Sequence, residues 1–216
     1  MDSLEWIGHA SFLVKDNGKR IFIDPFDLRK DFGKADVIFI THPHFDHFSV
    51  DDIKKIATLD TSIICPGECV NKLDYGNVHA VKPFESGSAS GVDYRTIPAY
   101  NNVPSRIHAH PKENGWVGYI IKFGKSSLYH AGDTDFIEDM AGVEVNNALI
   151  PMGGTYVMDV DDAIKASHTI NADRVSPMHY KMLLHEKGSW DAEMKFSKNV
   201  ENALILKEAQ EAKYSF

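Results

Sequence analysis

The sequence predicts a layered α/β domain in which sheets are covered by helices. Three observations carry that prediction: hairpin signals crowd the N-terminal end, strand-like and helix-like segments alternate further on, and 216 residues with 43% hydrophobic and 25% charged side chains suit one ordinary globular core. Residues 4–7, 11–15 and 20–24 are short strand candidates, and Asp16-Asn17-Gly18-Lys19 has the Asn-Gly signature of a tight hairpin turn. Residues 36–41 (DVIFIT) form a β-branched and aromatic run suited to a strand buried on both faces. Ser49 and Asp52 then resemble a capping box, ahead of a helix whose apolar face is Val50, Ile53 and Ala57. A second strand-helix unit is predicted over 62–65 and 67–73, and a short strand over 78–81.

Residues 85–91 (ESGSASG) have loop composition but are too few for a domain linker. Strands are expected at 94–99, 116–123 and 127–130, with a long functional loop over 101–115, rich in Pro, Asn and His. Alternation resumes with a strand over 147–152, a Gly153-Gly154 turn, and a helix capped by Asp159 with Val160, Ala163, Ile164 and Ser167 on one stripe. A strand at 174–178, a helix at 190–199 and a final edge strand at 203–206 complete the expectation of one domain over 1–216.

The composition excludes several classes. A formal charge of −8 argues against a non-specific nucleic-acid binder, which needs a basic face. No apolar run approaches the roughly 18 residues that span a bilayer. The N-terminal MDSLEWIGHASF has no basic stretch followed by an apolar one, so a cytoplasmic protein without membrane insertion is expected. Cys65 and Cys69 cannot build a disulfide scaffold or, alone, a four-thiolate zinc site; they are expected to be buried or helix-start thiols. The unusual feature is eleven histidines.

Four of the chemical candidates stand in Thr41-His42-Pro43-His44-Phe45-Asp46-His47, directly after the buried strand. Imidazoles and a carboxylate packed this closely repel when protonated and cost desolvation when buried, and a cation offsets both. The segment is too short to wrap one ion tetrahedrally, so two adjacent metals drawing further ligands from elsewhere are expected. In open α/β sheets such groups gather beyond the carboxyl ends of strands. That rule selects Tyr100-Asn101, Asp133 in Ala131-Gly132-Asp133-Thr134, and His179. For Asp133 the competing structural role is a helix N-cap ahead of 136–140.

The Thr-His-x-His-x-Asp-His segment, Gly132-Asp133-Thr134 and the strand-terminal His179 resemble the metallo-β-lactamase superfamily of metal-dependent hydrolases. Gly8-His9-Ala10-Ser11-Phe12, Ile23-Asp24-Pro25-Phe26, Tyr129-His130-Ala131-Gly132-Asp133-Thr134 and Pro177-Met178-His179-Tyr180 narrow the likeness. They resemble the branch containing L-ascorbate 6-phosphate lactonase and the phospholipase D-like enzymes of N-acylethanolamine release. The resemblance implies a four-layer αββα sandwich with metals at one sheet edge. It implies His42 and His44 on one metal, Asp46, His47 and His179 on the other, and Asp133 bridging. The family's usual histidine is replaced here by Asn101. Either Asn101 ligates, or His108 or His110 substitutes, with His110 favoured, or the first metal is labile.

An imidazole at His44, where the diiron branch has a carboxylate, favours hydrolysis over redox chemistry. Asp24, Thr41 and His130 are expected to orient ligating imidazoles. His9 is expected to face the substrate or donate a proton to the leaving group. The cofactor expected is two divalent ions, zinc first and manganese or iron as substitutes. A hydroxide shared by the metals would attack a small ester, lactone or phosphodiester, with Asp46 orienting it or shuttling its proton. The alternatives are a non-catalytic metal- or ligand-binding protein on the same fold, which Asn101 keeps in view, and a nucleic-acid phosphodiesterase. The partner expected is a small-molecule substrate, in a pocket shaped by 26–32, 101–115 and 155–158.

Overall fold

A computed structural model describes residues 1–210. β1 (Ser3–Gly8), β2 (Ser11–Asp16), β3 (Lys19–Ile23), β4 (Val37–Phe39), β5 (Ser62–Pro66) and β6 (Val78–Val81) form one sheet in chain order. The β2–β3 hairpin turns at Asn17 (φ 49°) and Gly18 (φ 78°), consecutive left-handed residues that match the right-handed twist of the strands. From β3 onward the neighbours are parallel, which requires crossovers. Helix α1 (Val50–Ile56) and the short α2 (Gly67–Val70) lie in two of these connections.

Period-2 alternation sorts this sheet's side chains into two layers. Phe12, Val14, Ile21, Ile23, Val37 and Phe39 face the main core, whereas Leu13, Phe22 and Ile38 face outward onto Ile53 and Ile56 of α1. The second sheet has the order β12-β11-β10-β9-β8-β7, built from β7 (Ser86–Ala89), β8 (Val92–Pro98), β9 (Val117–Phe123), β10 (Ser126–His130), β11 (Glu144–Pro151) and β12 (Asn171–Met178). Helices α3 (Val160–Thr169) and α4 (Lys181–Asn199) cover it, burying Ala163, Ala166, Ala192 and Phe196. The result is the expected αββα sandwich. The sheets are tied beneath the site, where Val117 N donates to Thr41 O at 3.2 Å and Tyr119 Oη donates to Ile40 O at 2.8 Å.

Several local expectations need correction. Residues 86–89 are a strand rather than a loop, because backbone pairing with β8 overrides their Gly/Ser composition. The helix expected over 67–73 stops at Val70. Helix α4 begins at Lys181, well before 190, with a break at His185 (φ 53°). Residues 203–206 make an isolated bridge from Ala203 to Val175 and no regular strand. Ser49 does cap α1, its Oγ accepting from Asp52 N at 3.3 Å, but the Asp52 carboxylate turns away to accept from Asp27 N and Leu28 N at 2.7 and 3.1 Å. Cys65 and Cys69 are buried and free, as expected. No helix among the described residues is long and apolar enough to cross a membrane.

Candidate metal centre

The turn after β4 folds on itself when His44 O accepts from His47 N and Phe48 N at 3.0 and 2.8 Å. Asp24, left-handed at φ 45°, organises it from the end of β3. Its Oδ1 accepts from Thr41 N at 2.8 Å, and its Oδ2 accepts from Thr41 Oγ1 at 2.6 Å and from His47 Nδ1 at 2.7 Å. Thr41 Oγ1, its proton given to Asp24, accepts from His42 Nδ1 at 3.0 Å. This network places the Nε2 lone pairs of His42 and His47 toward one space. Asp24 and Thr41 thus each hydrogen-bond an imidazole of this segment.

Asp133 enters that space from the turn after β10. Gly132 before it has φ +66°, and a Cβ there would lie 3.0 Å from Val117 O and 3.1 Å from Thr41 Cβ, so glycine lets the carboxylate in. Asp133 does not cap the next helix; the 3₁₀ turn Glu138–Gly142 follows Ile137 instead. Its Oδ1 lies 3.2 Å from His47 Nε2, and its Oδ2 lies 3.1 Å from His179 Nε2 and 3.3 Å from His110 Nε2. His179, left-handed at φ 56°, ends β12, and its backbone N donates to His9 O at 3.0 Å. A side chain at Gly153 would collide with the His179 carbonyl. His9, also left-handed at φ 52°, follows an irregularity in the β1–β2 register, and Trp6 Nε1 donates to its carbonyl at 2.9 Å.

In the loop after β8 it is a ring nitrogen of His110, and not the carboxamide of Asn101, that points at Asp133. Asn101 Oδ1 accepts from His110 Nδ1 at 2.8 Å, while Asn101 Nδ2 donates to Tyr156 O at 2.7 Å. Both ends of the carboxamide are therefore engaged, and His110 Nε2 is turned inward. Arg106 fastens the same loop through a buried ion pair with Asp135, and its Nη2 donates to Asp162 Oδ2 at 3.0 Å. The second Asp135 oxygen accepts from Asn102 N and Val103 N at 2.8 and 2.9 Å.

The ligand-capable atoms fall into three sets, each within 4.8 Å: His42, His44 and His110; His9, Asp46, His47 and His179; and His42, His47 and Asp133. His47 Nε2, His110 Nε2, His179 Nε2 and Asp133 Oδ1 are buried without a hydrogen-bond partner. Buried ligand-capable atoms converging without a hydrogen bond from four separate segments fit a cation, since such groups are otherwise costly.

The protein groups alone set a polarised site. Burial raises the Asp133 carboxyl, but His179 and His47 beside it hold it well below the carboxylate range. Against its own burial, His47 is pushed well above the ordinary imidazole value by Asp133 and Asp24. His179 is likewise pushed up to about 9, by Asp133 and Asp46. Burial dominates at His42, which is driven well down, and at His9, which falls to about 4.

The structure thus gathers His42, His44, Asp46, His47, His110, Asp133 and His179. Asn101 is a positioning group, because its oxygen is spent on His110. His108 is exposed at the cavity rim. His130 touches no ligating imidazole; its Nε2 donates to Ala10 O at 2.9 Å and its Nδ1 accepts from Gly132 N at 3.2 Å, fixing the backbones beside His9 and Asp133. His9 does not face the cavity: it is buried, with Nε2 donating to Asp46 Oδ2 at 3.0 Å. Trp116, whose ring lies 5.1 Å from His42 and 4.9 Å from His44, is a wall residue that sequence reasoning treated only as strand. Arg106 and Tyr156 lie in the segments 101–115 and 155–158 expected to shape the pocket, but their individual roles depend on contacts distant in sequence.

The profile of the β-lactamase superfamily domain matches residues 3–179. A metal-dependent hydrolase of Carboxydothermus hydrogenoformans is 32% identical over 193 residues, covering 82% of this chain and 84% of that protein. One of Thermococcus kodakarensis is 29% identical over 195 residues, covering 83% and 85%. Among crystal structures, a protein of Parabacteroides distasonis assigned as a metal-dependent hydrolase superposes with TM-score 0.83 at 30% identity, covering 96% of this chain and 93% of that one. The metallo hydrolase Igni18 of Ignicoccus hospitalis has the same fold, with TM-score 0.74 at 24% identity over 96% and 95% of the two chains.

Proposed function

The chain belongs to the metallo-β-lactamase superfamily of metal-dependent hydrolases, and from that premise we propose that its histidine-aspartate cluster holds two divalent ions, zinc foremost, and hydrolyses a small ester, lactone or phosphodiester. His42, His44 and His110 would hold one ion and Asp46, His47 and His179 the other, with Asp133 between them. The observation that carries this reading is Asp133, whose two oxygens lie 3.1 to 3.3 Å from His47, His110 and His179, groups from both sets. Bound there, divalent ions supply Lewis acidity and lower the pKa of a coordinated water toward neutrality.

The remaining work falls to the chain. Asp46 is the one carboxylate of the cluster with solvent access, at 19% exposed, and it lines the cavity with His44, His110, Asp133 and His179. It is suited to orient the attacking water and to accept its proton. Its Oδ2 is held by His9 Nε2, so His9 acts through Asp46 as a positioning residue. His42 and His47 keep their inward tautomers because Thr41 and Asp24 hold their Nδ1 protons. Asn101 does the same for His110. Its carboxamide supports a complete ligand set, which favours an enzyme over a binding protein that has lost turnover.

The test is turnover of generic esters, lactones and bis-p-nitrophenyl phosphate after chelation and after return of zinc or manganese. Activity that vanishes and returns with metal is expected, and Asp133→Ala and His47→Ala should abolish it while far-UV circular dichroism stays native. Full activity in either variant would overturn the assignment.

A further inference from the structure

The cavity over the cluster, about 390 Å³, is lined by nine residues: His44, Phe45, Asp46, His108, Ala109, His110, Asp133, Tyr156 and His179. Five of them are assigned above to metal binding. The remainder is Phe45, Tyr156, Ala109 and one histidine, and among the described residues no lysine or arginine lines the cavity. The nearby Arg106 guanidinium is committed to Asp135 and Asp162. A substrate's non-reacting part therefore meets apolar walls and no cation that would hold a second phosphate or carboxylate.

Phe45 and Tyr156 are placed for contact and not for folding. Phe45 stands between the ligand candidates His44 and Asp46, yet it is 73% exposed. Among the described residues its one ring neighbour is Phe26, edge-on at 5.9 Å. Tyr156 is 51% exposed, while its carbonyl accepts from Asn101 Nδ2 and sits 3.2 Å from His110 Nδ1. Each ring thus projects from backbone that is fixed by the metal cluster itself. Large aromatic rings left in solvent at the mouth of a small cavity mark an apolar contact surface.

We propose that Phe45 and Tyr156 form an apolar subsite for the uncharged alkyl or aryl group of a small carboxylic ester or lactone, and that the cavity disfavours substrates bearing a second anionic group. This rests on the hydrolase reading and narrows it. In the reaction one water is consumed: its oxygen forms the new bond to the acyl carbon and the ester C–O bond breaks. One proton passes to the leaving alcohol oxygen, and the other leaves the carboxylic acid for solvent.

Binding isolates the subsite from turnover. The zinc-loaded protein is titrated calorimetrically with acetohydroxamate, 3-phenylpropanohydroxamate and its para-carboxylated analogue, which share one metal-chelating head. Covering much of a phenyl ring should tighten binding about thirtyfold over the acetyl compound. The ring carboxylate should remove most of that gain. Phe45→Ala and Tyr156→Ala should each narrow the phenyl-to-acetyl ratio about fivefold, with Phe45→Leu retaining part of it. Acetohydroxamate affinity is the control for an intact metal cluster in every variant. Equal affinity for the acetyl and phenyl compounds, a ratio unchanged by both alanine variants, or tighter binding of the carboxylated probe would overturn the proposal. A protein that ranks the hydroxamates as expected yet turns over no ester would uphold the subsite and refute the hydrolase reading.

Discussion

Replacing Asn101 with alanine separates a ligand from a group that aims one. The carboxamide makes two buried hydrogen bonds, at 2.8 Å to His110 Nδ1 and 2.7 Å to Tyr156 O. Losing both costs roughly 2 kcal/mol at about 1 kcal/mol each. For a chain of this length that lowers Tm by about 4–8 °C. Without the Oδ1 acceptor, His110 keeps only the Tyr156 carbonyl at 3.2 Å, so its ring is free to rotate Nε2 away from Asp133. Loss of such an outer partner typically weakens metal binding about 10- to 100-fold, or roughly 1.4–2.7 kcal/mol. Zinc stoichiometry by plasma mass spectrometry and affinity by chelator competition are the assays. The Asn101→Ala protein should still bind two ions at saturation, one of them 10- to 100-fold more weakly, whereas His110→Ala should saturate with one. The reverse pattern, one ion in Asn101→Ala and two tight ions in His110→Ala, would make Asn101 the ligand and refute the reasoning.

Metal loading should release protons. The carboxylates beside them push the His47 and His179 imidazoles up, so calorimetry at pH 7.5 in buffers of differing ionisation enthalpy should show protons released on loading, and none would refute the assigned charges. The sign for the chelated protein follows. The raised imidazoles contribute stability that is full below the ordinary imidazole value of 6.5 and is lost as pH rises through about 9 for His179. The lowered Asp46 and Asp133 contribute stability that is present above 3.8 and is lost on acidification. Burial holds His9 and His42 neutral, so they lose stability as pH falls below about 6.5, and the Tm should peak near that pH. Arg106→Met should cost about 3–5 kcal/mol in urea unfolding, because the Asp135 carboxylate is left buried beside two backbone amides, and a loss under 1 kcal/mol would show the ion pair to be incidental. Gly132→Ala should lower metal occupancy without removing a ligand, since its methyl meets Val117 O and Thr41; unchanged occupancy would show that the turn relaxes.

Much of this was legible in the sequence because 11–15 and 20–24 flank an Asn-Gly turn, because the continuous β-branched and aromatic run at 36–41 reports burial on both faces, and because His42, His44, Asp46 and His47 occupy one short segment. Asp133 and His179 were found by their place after strands. What was hidden depends on pairing or on partners far along the chain. The Ser86–Ala89 strand has loop composition and exists because β8 lies beside it. His110 could be proposed but not aimed, since its orientation comes from Asn101 and Tyr156. His9 looked like a substrate-facing acid because a sequence does not show that its ring is buried against Asp46. Trp116 read as an ordinary strand aromatic, though its ring lies 4.9 to 5.7 Å from those of His44, His42 and His110, edge-on to two of them.

His9, Asp24 and His179 all hold left-handed backbone angles, at φ 52°, 45° and 56°. Each costs about 1–2 kcal/mol that glycine would not incur. At Asp24 the side chain more than offsets that strain, since it accepts three buried hydrogen bonds at 2.6 to 2.8 Å, worth about 1 kcal/mol each. Glycine there would relax the backbone and strand Thr41 and His47, so the strain and the centre it serves stand or fall together.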